Sequence, residues 1–259
     1  MSVITGTRPA AAPRSALRQV TIVEARLFLR ERVGVFWGVG FPLALLIIFG
    51  NIPAFRRPSK SLGGLTTLDV YVPILIVFVL AMLAINAMPP VLAGYRERGV
   101  LRRLATTPVG PSRVLAAQLA VNLAVMATTL IAMLVVARLA FGVVLPRQAG
   151  GFVLALILTV AAVLALGLFI AAVVPSARVA NGIGAILFFP MMFFAGLWLP
   201  RAEMPAVLRD IGNFTPLGSA VQALQDSTQG HFPHPLYLAV MAGYALVFGL
   251  AAARLFRWE

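Results

Sequence analysis

The stretch VYVPILIVFVLAMLAINAMPPVLA, residues Val70–Ala93, decides the fold. It contains no charged residue, and as a helix rising ~1.5 Å per residue it would cover about 36 Å. That exceeds the ~30 Å hydrocarbon layer of a bilayer. Its apolar residues run on without the strict alternation of a membrane β-strand, so the period is that of a helix with lipid or protein on every side.

The remainder of the chain agrees. Of 259 residues, 61% are hydrophobic and 11% charged, and the mean hydropathy is +0.96. Water-soluble domains carry about 25% charged residues, so this chain cannot coat its own surface in water. Further apolar blocks fall at about 33–52, 114–137, 152–174, 179–199 and 235–256, which with 70–93 predicts six spans. The fold class is therefore an all-α membrane protein. Residues 1–16, rich in Pro, Ala, Ser and Arg, read as a disordered tail, and 17–259 as one transmembrane domain.

Between tail and first span, residues 17–32 form an amphipathic pattern. Leu17, Val20, Val23, Leu27 and Phe28 share one side and Arg18, Arg26 and Arg30 the other, as in a helix lying in the membrane interface. Glu24 and Glu31 project near the apolar stripe, where they either snorkel to water and pair with arginine or contact another cytoplasmic element. The apolar run that follows is too long for the core of a signal peptide and has no small-residue cleavage site, so it reads as an uncleaved first span.

The net charge of +13 comes from twenty arginines and Lys60 against eight acids. These cations sit between apolar blocks, where they orient the chain and touch anionic headgroups, so nucleic acid is not an expected partner and membrane lipid is. Counted on alternate sides, 14 fall with the termini and 7 opposite, which predicts both termini in the cytoplasm. Arg138 reads as an interfacial, snorkelling residue at the far end of its span. The preference for arginine over lysine suits a GC-rich bacterial genome, hence a bacterial plasma (inner) membrane.

All eight acids lie in tails, loops or span ends. A self-powered secondary transporter needs ionisable groups near the midplane, and none is there. Asn86, Gln118, Asn122 and Asn181 are the polar exceptions within the spans, serving either as hydrogen bonds between helices or as the lining of a substrate path. The only lysine, Lys60, follows Ser59, so no phosphate-binding G-x-x-x-x-G-K-[ST] loop exists. There is no cysteine, and His231 and His234 sit in a Pro-broken loop without ligand spacing. No catalytic constellation and no metal site emerges, so the chain is not read as an enzyme. Any uphill transport must draw its energy from another subunit.

Two segments carry a resemblance. The first is Tyr95-Arg96-Glu97-Arg98-Gly99-Val100-Leu101-Arg102-Arg103-Leu104-Ala105-Thr106-Thr107-Pro108-Val109 after the second span. The second is Gly196-Leu197-Trp198-Leu199-Pro200, then Met204-Pro205, Leu208, Ile211 and Thr215-Pro216-Leu217, between the last two spans. Both resemble the corresponding segments of ABC-2 type transporter permeases, nearest to the daunorubicin-resistance type that exports drugs and natural products. Arg102, Arg103, Gln118, Thr215 and Gln225 depart from the family pattern without breaking its architecture.

The resemblance implies an ABC-2 exporter fold in which this chain is the permease of an ATP-driven exporter. It pairs with a second copy or a paralogous permease and with two copies of a separate P-loop ATPase, which would bind the ATP and Mg; no cofactor is expected in this chain. It implies coupling or gating roles for Glu24, Glu31, Glu97, Arg98, Gly99, Leu101, Leu104 and Pro108; the bland alternative is a basic loop that only fixes topology. It implies an exit or re-entrant segment around Gly196, Pro200, Met204, Pro205, Leu208 and Pro216, which either caps the outer exit or packs on its neighbours. Asn86, Asn122, Phe189, Met192 and Phe193 are candidates for the substrate path, and for the span-five aromatics and methionines the dimer seam and simple core packing stay open. The implied cargo is an amphipathic drug, natural product or lipid. A polysaccharide or lipid-linked glycan, or a membrane enzyme or assembly factor without transport activity, are the rival readings.

Overall fold

A computed structural model describes residues 13–30, 35–59, 64–105 and 111–255. Among these residues the chain is helical throughout, with one isolated bridge between Pro58 and Thr66 and no strand. The elements are α1 (Pro13–Arg30), α2 (Phe36–Asn51), α3 (Thr67–Glu97), α4 (Val100–Ala105), α5 (Pro111–Phe141), α6 (Ala149–Val173), α7 (Ala177–Ala195), α8 (Ala206–Asn213), α9 (Pro216–Gln229) and α10 (Pro235–Leu255).

By length and composition five helices can cross a membrane: α3, α5, α6, α7 and α10. The sixth apolar block is helical over Phe36–Asn51, which at ~1.5 Å per residue rises about 24 Å, less than a full hydrocarbon layer. The span bounds differ from those expected by a few residues. The largest difference is in α3, which extends past residue 93 to Glu97 and so carries Tyr95, Arg96 and Glu97 on one rigid element. Likewise α1 opens at Pro13, inside the stretch read as a tail.

The organising element is α3. In its most apolar window 89% is buried, against 11% for α10, so the other helices pack round α3 while α10 lies at the periphery against α6. A capping box starts α3: Asp69 accepts from the Thr66 amide and hydroxyl at 2.8 and 2.6 Å, and Thr66 Oγ1 accepts from the Asp69 amide at 3.1 Å. The second oxygen of Asp69 accepts from the Val144 amide at 2.9 Å and ties down the chain leaving α5. Burial of this acid is therefore matched by donors on both oxygens.

Midway, α3 opens into a π-turn over Met82–Ala87. A second π-turn, Phe36–Gly40, begins α2, and the two meet: a Cβ on Gly38 would stand 2.6 Å from Leu83 Cδ2. On the other sides, Gly167 of α6 and Gly184 of α7 let those helices press on the turn's backbone. A Cβ there would lie 2.0 Å from the Ala84 carbonyl and 2.8 Å from that of Ile85. Small residues at such crossings are how helices approach closely where lipid supplies no hydrophobic drive.

Candidate functional site

One side of the α3 π-turn is open. A cavity of about 600 Å³ lies between α1, the start of α2, α3, and the first turns of α5 and α7. It brings together the four polar exceptions of the spans: Asn86 from α3, Gln118 and Asn122 from α5, and Asn181 from α7. The four lie near the same end of the bundle: at ~1.5 Å per residue Asn86 and Asn122 are about 16 Å from the ends of α3 and α5, Gln118 about 10 Å and Asn181 about 6 Å into α7.

The Asn122 amide donates to the Gln118 carbonyl of its own helix at 2.9 Å, not to a neighbouring helix. The Asn86 amide nitrogen is buried and has no hydrogen-bond partner, which costs on the order of 1–3 kcal/mol in an unfilled site.

Glu24, Tyr95 and Arg98 line the same cavity toward its outer end, with Trp37 and Phe28 beside them. Glu24 is only 7% exposed, and Tyr95 Oη reaches both of its oxygens at 3.0 Å. Of the two alternatives for this acid, snorkelling is overturned: it turns inward to span-bearing α3. The reason is that Ile22 and Leu29 remain exposed on the opposite side of α1, where lipid satisfies them, while Leu27 and Phe28 share the cavity with Glu24. Burial pushes the Glu24 carboxyl above its ordinary range, partly offset by the Tyr95 hydroxyl.

Just beyond the cavity, consecutive residues at the end of α3 hold the junction of α6 and α7. Arg96 donates to the Ala172 carbonyl at 3.2 Å and to the Val174 carbonyl, closing the C-terminus of α6. Glu97 accepts from the Ala177 amide at 3.3 Å at the N-terminus of α7, beside the Ser176 cap. A cation thus meets the negative end of one helix dipole and an anion the positive end of the next. Gly99, at φ +66°, then turns the chain into α4, a conformation that favours glycine. Arg103 braces the turn through the Arg98 carbonyl at 3.0 Å.

The helices thus surround a central, glycine-approached span, with a polar chamber at one end and a basic turn leading from it. The model of the ABC-2 type transporter family matches residues 15–228, most of the chain, from α1 into α9. The chain belongs to the ABC-2 type transporter family. No curated protein matches it by sequence. Membership makes it a membrane permease component of an ABC transporter, multi-pass in the membrane, and implies partnership with an ABC ATPase subunit.

In this ABC-2 permease the end opposite the chamber is closed. Gly196, left-handed at φ +94°, stops α7. Arg201 then donates to the Phe194 carbonyl at 3.1 Å, the Arg209 carbonyl at 3.1 Å and Asn213 Oδ1 at 2.5 Å, pinning the ends of α7 and α8 together. Thr215 caps α9, its Oγ1 accepting from the Gly218 amide at 3.2 Å. Pro216 starts α9, which sinks among α3, α6, α7 and α10. There Gln225 donates to the Val70 carbonyl at 3.0 Å, one turn before Pro73 inside α3.

The ridge of Val207, Ile211 and Phe214 on α8 is exposed, and the element that enters the bundle is α9. Leu208 is half-buried on α8, Met204 is buried before it, and Pro200 and Pro205 flank the short 3-10 turn Arg201–Glu203.

Of the substrate-path candidates, Asn86 and Asn122 line the chamber, whereas Phe189, Met192 and Phe193 do not. Met192 is fully buried in the core and Phe189 is exposed on the outer face of α7 beside Trp198, because α7 buries the single stripe Ala180, Gly184, Phe188, Met192 and Ala195 and Phe189 lies off it. Among the coupling candidates, Glu24 lies in the chamber, Glu97 at the α6–α7 junction, and Arg98 at the chamber rim, where its Nε donates to the Gly94 carbonyl at 3.1 Å. Leu101 and Leu104 fall on α4, and their side chains, with Glu31 and Pro108, lie outside the described residues.

Sequence reasoning passed over Tyr95, Arg96, Arg201 and Asn213. For Arg96 a signal existed. Adjacent residues of opposite charge at a span end suit a helix C-terminus and a helix N-terminus that lie side by side, and the tight Pro175–Ser176 turn supplies such a pair. Tyr95 and Arg201 act through backbone and side-chain contacts distant in sequence, which no local pattern announces.

Proposed function

We propose that this chain is the membrane-spanning half of an ATP-driven exporter that moves amphipathic molecules out of the cytoplasm or inner leaflet. Two copies would pair, and two P-loop ATPase subunits would bind the basic end, which faces the cytoplasm with both termini. Family membership supports the permease role. The observation that carries the rest is the chamber, polar inside and bordered by apolar, partly exposed α1 and α2, beside the clamp that joins α3 to the α6–α7 junction.

The clamp suggests how a push is passed on. A load on α4 reaches α3 through the two-residue turn at Arg98 and Gly99. Arg96 and Glu97 hand it to α6 and α7, whose first turns carry Asn181 into the chamber. An ATPase closing against α4 would thereby move three walls of the path together. The bundle supplies no acid in mid-span to couple an ion instead.

The test is affinity purification of the tagged full-length chain from its native membranes in mild detergent. A P-loop ATPase should come with it, and its hydrolysis should rise with amphipathic compounds. A chain that purifies alone, without nucleotide hydrolysis, would overturn the exporter reading; stimulation by glycans alone would replace the cargo.

A further inference from the structure

Glu24 poses a physical problem that the transporter fold does not require. It is a carboxylate 7% exposed, level with the inner turns of the spans, and its hydrogen-bond partner is the neutral Tyr95 hydroxyl. Among the described residues no cation pairs with it. Arg98, the cation that lines the same cavity just past the end of α3, is engaged with the Gly94 carbonyl and set against the face of the Tyr95 ring, 5.9 Å from its centroid. An unpaired buried charge is among the costliest features a protein can keep, and removing a partner from such a charge costs several kcal/mol.

The surroundings specify what would relieve it. Asn86, Gln118, Asn122 and Asn181 offer amide oxygens and no charge, while Trp37 and Phe28 offer ring faces. A single acid among neutral amides and aromatic rings, with the cation Arg98 of the rim engaged by the Gly94 carbonyl and the Tyr95 ring, is a binding environment for an organic cation, through ion pairing and cation–π attraction. The adjoining apolar surface of Leu27, Met82 and Leu83 suits a hydrophobic body attached to it. The chamber is large enough, at about 600 Å³, for a drug-sized molecule.

We infer that the chamber is a binding site for lipophilic organic cations, with Glu24 as the counter-ion, Tyr95 as its positioning residue and the amide cluster as the neutral lining. The inference deepens the exporter reading by naming the cargo class at the same site. The shared chemistry, an ammonium-like centre on an apolar body, belongs equally to an exported amphiphile and to an aminophospholipid headgroup of the membrane itself. Because Glu24 is held above the ordinary carboxyl range, occupancy should rise with pH as the acid ionises and a bound cation should in turn hold it ionised.

The test is equilibrium binding of radiolabelled tetraphenylphosphonium to the full-length chain in nanodiscs of phosphatidylcholine and phosphatidylglycerol, with or without phosphatidylethanolamine. This probe keeps its charge at every pH, so any pH dependence reports the protein. Binding should strengthen as pH rises from 4.5, and Glu24→Gln should lower affinity at least tenfold and flatten the profile. Tyr95→Phe should move the profile to higher pH, a shift that a purely structural role would not produce. Glu24-dependent binding in both lipid mixtures supports an exported cation; Glu24-dependent binding that phosphatidylethanolamine abolishes supports the lipid amine as the occupant. Equal binding by wild type and monodisperse Glu24→Gln, or a wild-type profile flat with pH, would overturn the inference. No ATPase enters this measurement, so its failure is distinct from the absence of an ATPase partner.

Discussion

The two ends of the bundle treat polar groups in opposite ways. Around Arg201, donors and acceptors of α7, α8 and α9 are matched, and even the hydroxyls of α9 bond within the protein: Ser219 to the Asn213 carbonyl, Ser227 to Ala223 and Thr228 to Leu224. Around Asn86 the matching is left incomplete, with an amide nitrogen lacking a partner and an acid facing only a hydroxyl. In a low-dielectric interior each such omission costs stability. A fold tolerates it where something other than the fold is to complete the bonding, so one end reads as a lid and the other as a port.

The strongest way to break the contrast is at the lid. Arg201→Ala strips the charged donor from two carbonyls and Asn213 at once, and should destabilise the protein by about 3 kcal/mol, seen as a lower thermal midpoint in detergent. Next comes the packing that holds the port's back wall. Gly167→Val places a Cβ against the Ala84 carbonyl and should cost about 1–3 kcal/mol through overpacking, with α6 displaced from α3.

The port should answer differently. Asn86→Leu removes an unpaired donor, so stability in the same assay should hold or rise by roughly 1 kcal/mol while transport falls. Glu97→Ala with Leu101→Ala should shift stability by less than about 1 kcal/mol, yet reduce transport-coupled hydrolysis severalfold; undiminished transport would remove the coupling role. The smallest effect is on pH. Because the folded protein holds the Glu24 proton above pH 4.5, the native state binds more protons than the unfolded chain there. Stability should therefore fall as pH rises through the folded value, and this slope should vanish in Glu24→Gln.

The difference between the ends also explains what was legible beforehand. The spans were visible because each is a long apolar run, and Asn86, Gln118, Asn122 and Asn181 stood out against it. Their convergence was not visible, since it depends on two π-turns and on glycines whose role appears only when a neighbouring carbonyl is 2.0–2.8 Å from a would-be Cβ. Helix α9 escaped notice for the opposite reason. Its Ser219, Gln222, Gln225, Ser227 and Thr228 make it read as a polar loop, and it is buried because those groups are bonded, Ser219, Gln222, Ser227 and Thr228 to residues near in sequence and Gln225 to the Val70 carbonyl of α3. The inward face of α1 is centred on Val20, Glu24 and Phe28, so Val23 at the edge of the apolar stripe is left to lipid, and an apolar stripe alone does not fix that rotation in a membrane protein.

The most direct test of the lid-and-port account exploits the absence of cysteine from the chain. Asn86→Cys and Val221→Cys, each the sole thiol in its protein, would be exposed to a membrane-impermeant maleimide in inside-out and right-side-out vesicles without an added partner or nucleotide. The account predicts that Cys at 86 is labelled from the cytoplasmic side only and Cys at 221, buried in α9, from neither. Labelling of position 86 from the outer side would contradict it.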